Sequence, residues 1–286
     1  MKQIDLEIEQ GDFFALLGHN WAGKTTAIWI MTDLVEKTSW SVKIFWEDID
    51  NNFAKAKTCI WVVPQEFNFH MWEKVGEVPV IQAGYYWIPR ATAEKRTKKL
   101  LKALELWEHR NKESKDLSGW MKRRLMIARA LVHKPKFLIL DEPTAWVDVE
   151  LRKTMWNFIK QLNADWTTIL LTTHYLEEVE ALCNKVAIIN DGRIVENTTT
   201  KKLLASLDEE IFVLDIQWDE KPSKNLLVAL KKFDAELTKQ WEFEVTISRK
   251  HRLNELFEIL NKEEVVISSM RNKVNRIEQL FMNLTK

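Results

Sequence analysis

Gly18-His19-Asn20-Trp21-Ala22-Gly23-Lys24-Thr25 follows the apolar run Phe13 to Leu17 and opens a helical segment beginning at Lys24, Thr25 and Thr26. Gly, four residues, then Gly-Lys-Thr, placed between a buried strand and a helix, is the pattern of a phosphate-binding loop. Its chemistry follows from its parts. Backbone N–H groups from Gly18 through Gly23 converge on phosphate oxygens, and the helix start adds the positive end of its dipole. Lys24 neutralises the outer phosphates, and Thr25 offers a hydroxyl to Mg²⁺.

Further short apolar runs at Ile60 to Val63, Phe137 to Leu140, Thr168 to Leu171 and Lys185 to Ile189 alternate with helical patterns. That alternation predicts an α/β fold around a mostly parallel sheet. Upstream, Ile4, Leu6 and Ile8 alternate with charged residues and predict a half-buried strand before the turn at Gly11-Asp12. The run Phe137-Leu138-Ile139-Leu140 ends in Asp141-Glu142, and strand ends are where an open parallel sheet presents ligand groups. Asp141 suits the coordination sphere of Mg²⁺; Glu142 suits a general base that polarises an attacking water.

The 286 residues carry 42 Lys+Arg and 42 Asp+Glu. A balance of zero gives no reason to expect nucleic-acid binding through a global field. Cys59 and Cys183 form no disulfide framework or metal-ligand spacing, which fits a reducing cytosol. No stretch approaches the roughly 18 apolar residues of a membrane span. Between about residues 75 and 133 the strand signal stops. Leu100, Leu101, Leu104 and Trp107 then recur at helical spacing, with the basic run Lys95 to Lys102 as a solvated face. After about residue 208 the pattern restarts as strand Ile211 to Ile216, helix Asn225 to Lys232, strand Glu242 to Ile247, helix Arg252 to Asn261, strand Val265 to Ser269 and helix Val274 to Leu284. The expected division is therefore 1–207, with a helical subdomain at about 75–133, and a small α+β extension at 208–286.

Leu117-Ser118-Gly119-Trp120-Met121-Lys122-Arg123-Arg124-Leu125 opens a helix with Leu125, Ala128 and Leu131 on one face, about twenty residues before the acidic strand end. It resembles the Leu-Ser-Gly-Gly signature of ABC-type ATPases. Gln65 in Val63-Pro64-Gln65 resembles the Q-loop, Ala145-Trp146-Val147-Asp148 the D-loop, and His174 in Leu171-Thr172-Thr173-His174 the switch histidine. The resemblance covers about residues 4–205, and Asn275 to Phe281 resembles the C-terminal extension of ABC-2-type exporter ATPase subunits.

The resemblance implies a P-loop NTPase core that hydrolyses MgATP at a head-to-tail interface between two ATPase subunits, a homodimer or a pair with a paralogue. Each ATP would lie between one subunit's phosphate loop (Gly18 to Thr26) and the other's Ser118, Gly119 and residue 120, with Asp148 nearby. Glu142, His174 and Gln65 would be catalytic; Thr25, Gln65 and Asp141 would hold the Mg²⁺. The membrane partner is a multi-span permease docking near the Q-loop and the helical insertion. The expected place is the cytoplasm, peripheral on the inner face of the cell membrane.

Two departures stand against this pattern. Similar chains carry, upstream of the segment matching residues 3–9, a strand and an aromatic residue that stacks on adenine; this sequence begins at the following strand. The second departure is compositional. Seven Gly and fourteen Trp occur in the chain, whereas average usage is roughly 7% Gly. Trp21, Trp29, Trp40, Trp46, Trp61, Trp87, Trp120, Trp146 and Trp166 stand where similar sequences carry Gly. Reading those nine as Gly brings both compositions to ordinary values. A UGA codon decoded as Gly in the source but translated as Trp would produce this one-way pattern. Were the tryptophans genuine, the alternative is a catalytically impaired nucleotide-binding or scaffold subunit. Trp107 and Trp156, on apolar helix faces, read as ordinary packing residues.

Overall fold

The computed structural model of the protein describes residues 2, 4–35, 41–145, 148–206, 209–217, 224–238, 242–248, 253–263 and 265–273. The chain divides into two compact units, 1–199 and 200–286. In the first, the elements run β1 (Phe13–Leu17), α1 (Lys24–Met31), β2 (Lys43–Ile44), β3 (Glu47–Asp48), α2 (Ile49–Cys59), β4 (Ile60–Val63), α3 (Glu77–Gly84), α4 (Arg90–Ala103), α5 (Gly119–Leu131), β5 (Phe137–Asp141), α6 (Val149–Ala164), β6 (Thr168–Thr173), α7 (Leu176–Leu182), β7 (Lys185–Asn190) and β8 (Arg193–Thr199).

The main sheet has the order β4-β5-β6-β1-β7-β8. All its pairings are parallel except β7 with β8. The expected mostly parallel sheet is thus present, and β1, β5 and β6 are buried along their whole length, as parallel strands covered on both faces must be. Phe14, Leu16, Ile139, Leu170 and Ile189 share one buried cluster with Ile28 of α1. Truncating a residue such as Leu16 to Ala would cost about 2–5 kcal/mol. The register pairs Leu17 with Thr173 and Asp141 with Thr172, so the C-terminal ends of β1, β5 and β6 finish level. This alignment brings the phosphate loop beside the acidic pair.

The region predicted as a helical insertion contains α3, α4 and α5, and no named strand falls among its described residues. Two expectations need correction. Helix α4 stops at Ala103, and Glu105 turns the chain with φ 56°, which leaves Trp107 in a separate 3-10 turn. Leu104 is buried after the turn, so its apolar spacing recorded burial and not helix continuation. Residues 4–9 form no strand. Ile4, Leu6 and Ile8 do pack against the sheet core, but alternation reports only which side chains face inward, whereas a strand needs a ladder partner. The structure also contains two elements the apolar runs did not predict, the β2-β3 hairpin and the antiparallel edge strand β8.

The second unit contains α8 (Thr200–Ala205), β9 (Glu209–Gln217), α9 (Lys224–Leu230), β10 (Glu236–Leu237), β11 (Glu242–Ser248), α10 (Leu253–Lys262) and β12 (Val266–Asn272). Its sheet has the order β10-β11-β9-β12 with every pairing antiparallel, the arrangement of a split βαβ pair. Phe212, Leu214, Phe243 and Val245 on the sheet meet Leu226, Leu230, Leu256 and Leu260 on the helices. The helix expected over Val274 to Leu284, including Asn275 to Phe281, lies outside the described residues, as do Trp40, Trp146 and Val147. No helix among the described residues is long and apolar enough to cross a membrane.

Candidate functional site

Gly18, directly after β1, is required sterically: a Cβ there would lie 2.6 Å from the Ile189 carbonyl oxygen. Gly23 has φ 111° and immediately precedes α1, a conformation open to Gly with little strain. Buried Ala22 ties the loop to the β7-β8 turn, since Gly192 N–H donates to its carbonyl at 2.9 Å. His19, Asn20 and Thr25 are exposed and Thr26 half-buried. The Lys24 ammonium is buried and donates to the carbonyls of Gly18 at 2.5 Å and His19 at 3.2 Å. Burial lowers its pKa, while the negative charges of Glu142 and Asp141 pull it back up.

Trp21 stands differently in the same loop. Its φ is 72° and its side chain is fully in solvent, at 102% relative exposure. A non-Gly residue held in this region costs on the order of 1–3 kcal/mol.

Across the sheet edge, buried Asp141 accepts a hydrogen bond from the Thr172 hydroxyl. Burial pushes the Asp141 carboxyl upward, opposed by that hydrogen bond and by the charges of Lys24 and Arg123. Glu142 also has positive φ, 47°, but it is held on every side. Its N–H donates to the Thr172 carbonyl at 3.0 Å, Gln65 Nε2 donates to Oε2 at 3.1 Å, and His174 Nδ1 meets Oε1 at 3.0 Å. The structure therefore brings Gln65, Glu142 and His174 together from three segments, next to Asp141 and Lys24.

Ser118 and Asp148 sit at helix starts and not in this cluster. Ser118 caps α5 by accepting from Met121 N–H at 3.2 Å, and Asp148 caps α6 by accepting from Leu151 N–H at 2.9 Å. Both are exposed, as is Gly119, where an added Cβ would meet nothing within 4 Å. Trp120, in the first turn of α5, lies under the Arg124 guanidinium at 4.9 Å. Its buried indole Nε1 has no hydrogen-bond partner among the described residues.

Three residues that sequence reading passed over support the cluster. Buried Arg123 donates from its two terminal nitrogens to the carbonyls of Pro64 and Gln65, each at 2.5 Å, fastening α5 to the segment that carries Gln65. In the sequence it is one member of the basic run Lys122-Arg123-Arg124, and nothing there marks it, or the equally buried Arg124, as inward. Thr172 and Glu178 lie in strand and helix patterns that signal packing only.

The donor set also bears on Mg²⁺. Thr25 offers a hydroxyl and Asp141 a carboxylate, and Gln65, whose amide nitrogen serves Glu142, keeps its amide oxygen for a ligand. Among the described residues no group of three or more His, Cys, Asp or Glu could cage a metal. A few hard oxygens beside phosphates fit Mg²⁺, which is ordinarily bound by one or two carboxylates with phosphate and water.

A parallel sheet with a phosphate loop after β1 and an acidic pair at the end of β5 defines an ATP-binding α/β protein of the P-loop class. The family model described as "ABC transporter" matches residues 1–145. The Linearmycin resistance ATP-binding protein LnrL of Bacillus subtilis is 31% identical over 289 residues, covering 100% of this chain and 93% of that protein. The Nod factor export ATP-binding protein I of Cupriavidus pinatubonensis is 37% identical over 206 residues, 72% of this chain and 63% of that one. Among solved structures, a dimeric post-hydrolysis state of an ATP-binding cassette bound to ADP and Pi superposes with TM-score 0.63 at 25% identity, covering 70% of this chain and 90% of that chain. An ATP binding subunit of an ABC transporter, at TM-score 0.65 and 24% identity, shares the fold over 70% of this chain and 83% of that one. The chain belongs to the ABC transporter family, as an ATP-binding, ATP-hydrolysing subunit.

Proposed function

We propose that the protein powers an exporter: two ATPase subunits close head to tail on two MgATP and couple that closure to a multi-span membrane permease, with the chain peripheral on the cytoplasmic face. The observation that carries the chemistry is the convergence of Gln65 and His174 on the Glu142 carboxylate. A carboxylate so held has a fixed oxygen with which to orient water and take its proton. Lys24 exchanges its loop carbonyls for β- and γ-phosphate oxygens. Asp141, Thr25 and Gln65 would hold Mg²⁺, which when bound neutralises developing phosphate charge.

In this reading Ser118, Gly119 and residue 120 present the start of α5 to the γ-phosphate of the opposite subunit, and Asp148 lies at the same interface. Export is supported by the names of the relatives, one a linearmycin resistance protein and the other a Nod factor export protein. The test is assembly. Glu142→Gln with MgATP should sediment as a dimer and co-purify with a permease supplied in membranes. A variant that stays monomeric at saturating ATP would refute the head-to-tail closure.

A further inference from the structure

Four of the ten described tryptophans adopt left-handed backbone: Trp21 (φ 72°), Trp46 (φ 70°), Trp87 (φ 56°) and Trp166 (φ 67°). Only a few per cent of non-Gly residues do so, and a bulky residue there is an outlier. Each of the four occupies a geometry whose usual occupant is Gly for reasons of backbone alone. Trp46 is the second residue of the two-residue turn joining β2 to β3, and Phe45 before it has φ 47°. Such a turn needs positive φ at both central residues and strongly favours Gly. Trp87 and Trp166 each close a helix. Trp87 N–H donates to Gly84 and Ile88 N–H to Ala83, at 3.0 and 3.2 Å; Trp166 N–H donates to Asn163 and Thr167 N–H to Leu162, at 2.9 and 3.2 Å. Those paired bonds form the Schellman ending, whose left-handed residue is usually Gly. Trp21 lies in the phosphate loop.

Burial compensates the strain very little. The four side chains are 102%, 93%, 94% and 74% exposed, so they gain little burial, whereas strained backbone persists where its surroundings over-determine it. Trp107 and Trp156 are absent from the left-handed set and make contacts of their own. The Arg110 guanidinium lies 4.6 Å from the Trp107 ring, and Trp156 Nε1 donates to Glu178 at 3.3 Å. At Trp29 in α1 and Trp61 in β4 the backbone makes no such demand.

We propose that positions 21, 46, 87 and 166 are glycine in the protein as its source makes it, each encoded by a UGA that the source decodes as glycine. Peptide mass spectrometry of the protein purified from its source tests this independently of any ATPase activity. Glycine is expected at the four positions and tryptophan at 107 and 156. Tryptophan at any of the four, or a UGG codon there, would overturn the proposal. A recombinant chain with glycine at all four should also melt several degrees above the tryptophan chain; an equal or lower midpoint would contradict the backbone argument.

A separate observation concerns Glu178, which is fully buried. Its Oε1 accepts from the Thr144 hydroxyl and from Trp156 Nε1, while Oε2 has no hydrogen-bond partner among the described residues. Thr144 lies two residues beyond Glu142, Trp156 on the helix capped by Asp148, and Glu178 itself four residues beyond His174. We infer that Glu178 is a positioning residue that ties these three segments together, an inference resting on the proposed role of Glu142. Glu178→Ala should lower kcat about tenfold with KM for ATP unchanged, and Glu178→Gln, which keeps the accepting oxygen, should restore it. An unchanged kcat in the alanine variant, in a protein where Glu142→Gln still stalls turnover, would refute this inference alone.

Discussion

Glu142 and Trp21 both belong to the proposed ATP site and both hold a left-handed backbone, but they are secured by opposite means. Glu142 is fixed by its own N–H and by two side chains that reach its carboxylate from other segments. Trp21 extends into solvent within a loop whose shape depends on backbone conformation and on glycines at 18 and 23. The acidic half of the site is thus built from side chains, and its strain is over-determined. The phosphate half is built from main chain, and the residue type at each position decides whether that main chain is relaxed. A tryptophan therefore matters more in the second half than a comparable substitution beside the first.

The strongest way to break this comparison is at Lys24, the one buried cation of the phosphate half that the acidic pair attracts. Lys24→Ala should cut ATP turnover by roughly 100-fold or more, as losing a preorganised charge contact commonly does, with ATP binding weakened in a direct titration. Next is Trp21→Gly. Relief of about 1–3 kcal/mol of backbone strain should raise ATP turnover by about tenfold, and an unchanged rate would mean that the main-chain half is not limiting.

Smaller effects probe the acidic half and the helical region. The Thr172 hydroxyl favours the ionised form of Asp141, so Thr172→Val should drive that carboxyl further upward. The acid limb of the pH profile for kcat/KM would then move to higher pH, and an unmoved limb would mean that this hydrogen bond does not govern the titration. His133, stacked on Tyr86 at 3.9 Å, has its pKa lowered by burial, and by the charge of Arg96, to about 4. Between that value and the ordinary 6.5 the unfolded chain binds the proton and the folded one does not. Its contribution to stability is therefore complete above about pH 6.5 and lost as pH falls toward 4, an effect on the order of 1–3 kcal/mol. Melting midpoints of His133→Phe should fall less steeply over that range than those of the unsubstituted protein.

The parallel core was legible because Phe13 to Leu17, Phe137 to Leu140 and Thr168 to Leu171 are continuous apolar runs, as two-sided burial demands. Asp141, Glu142 and Lys24 were legible because chemistry constrains their spacing along the chain. The contacts around them were not. Arg123 reaches two carbonyls about sixty positions away in sequence, and Glu178 is an acid in an ordinary helical pattern; neither leaves a local signal. The β2-β3 hairpin was missed for a different reason: Phe45-Trp46 occupies the turn where Asn-Gly would have announced it. Residues 4–9 show the converse failure, a true inward-facing alternation without a strand partner.

The most direct test of the side-chain-built acidic half is ATP hydrolysis by Glu142→Gln, measured together with ATP binding on the same preparation. The arrangement of Gln65, Glu142 and His174 predicts that binding is retained while turnover falls by roughly 10²–10⁴-fold, the range of a lost general base. Unchanged turnover with intact binding would contradict the assignment.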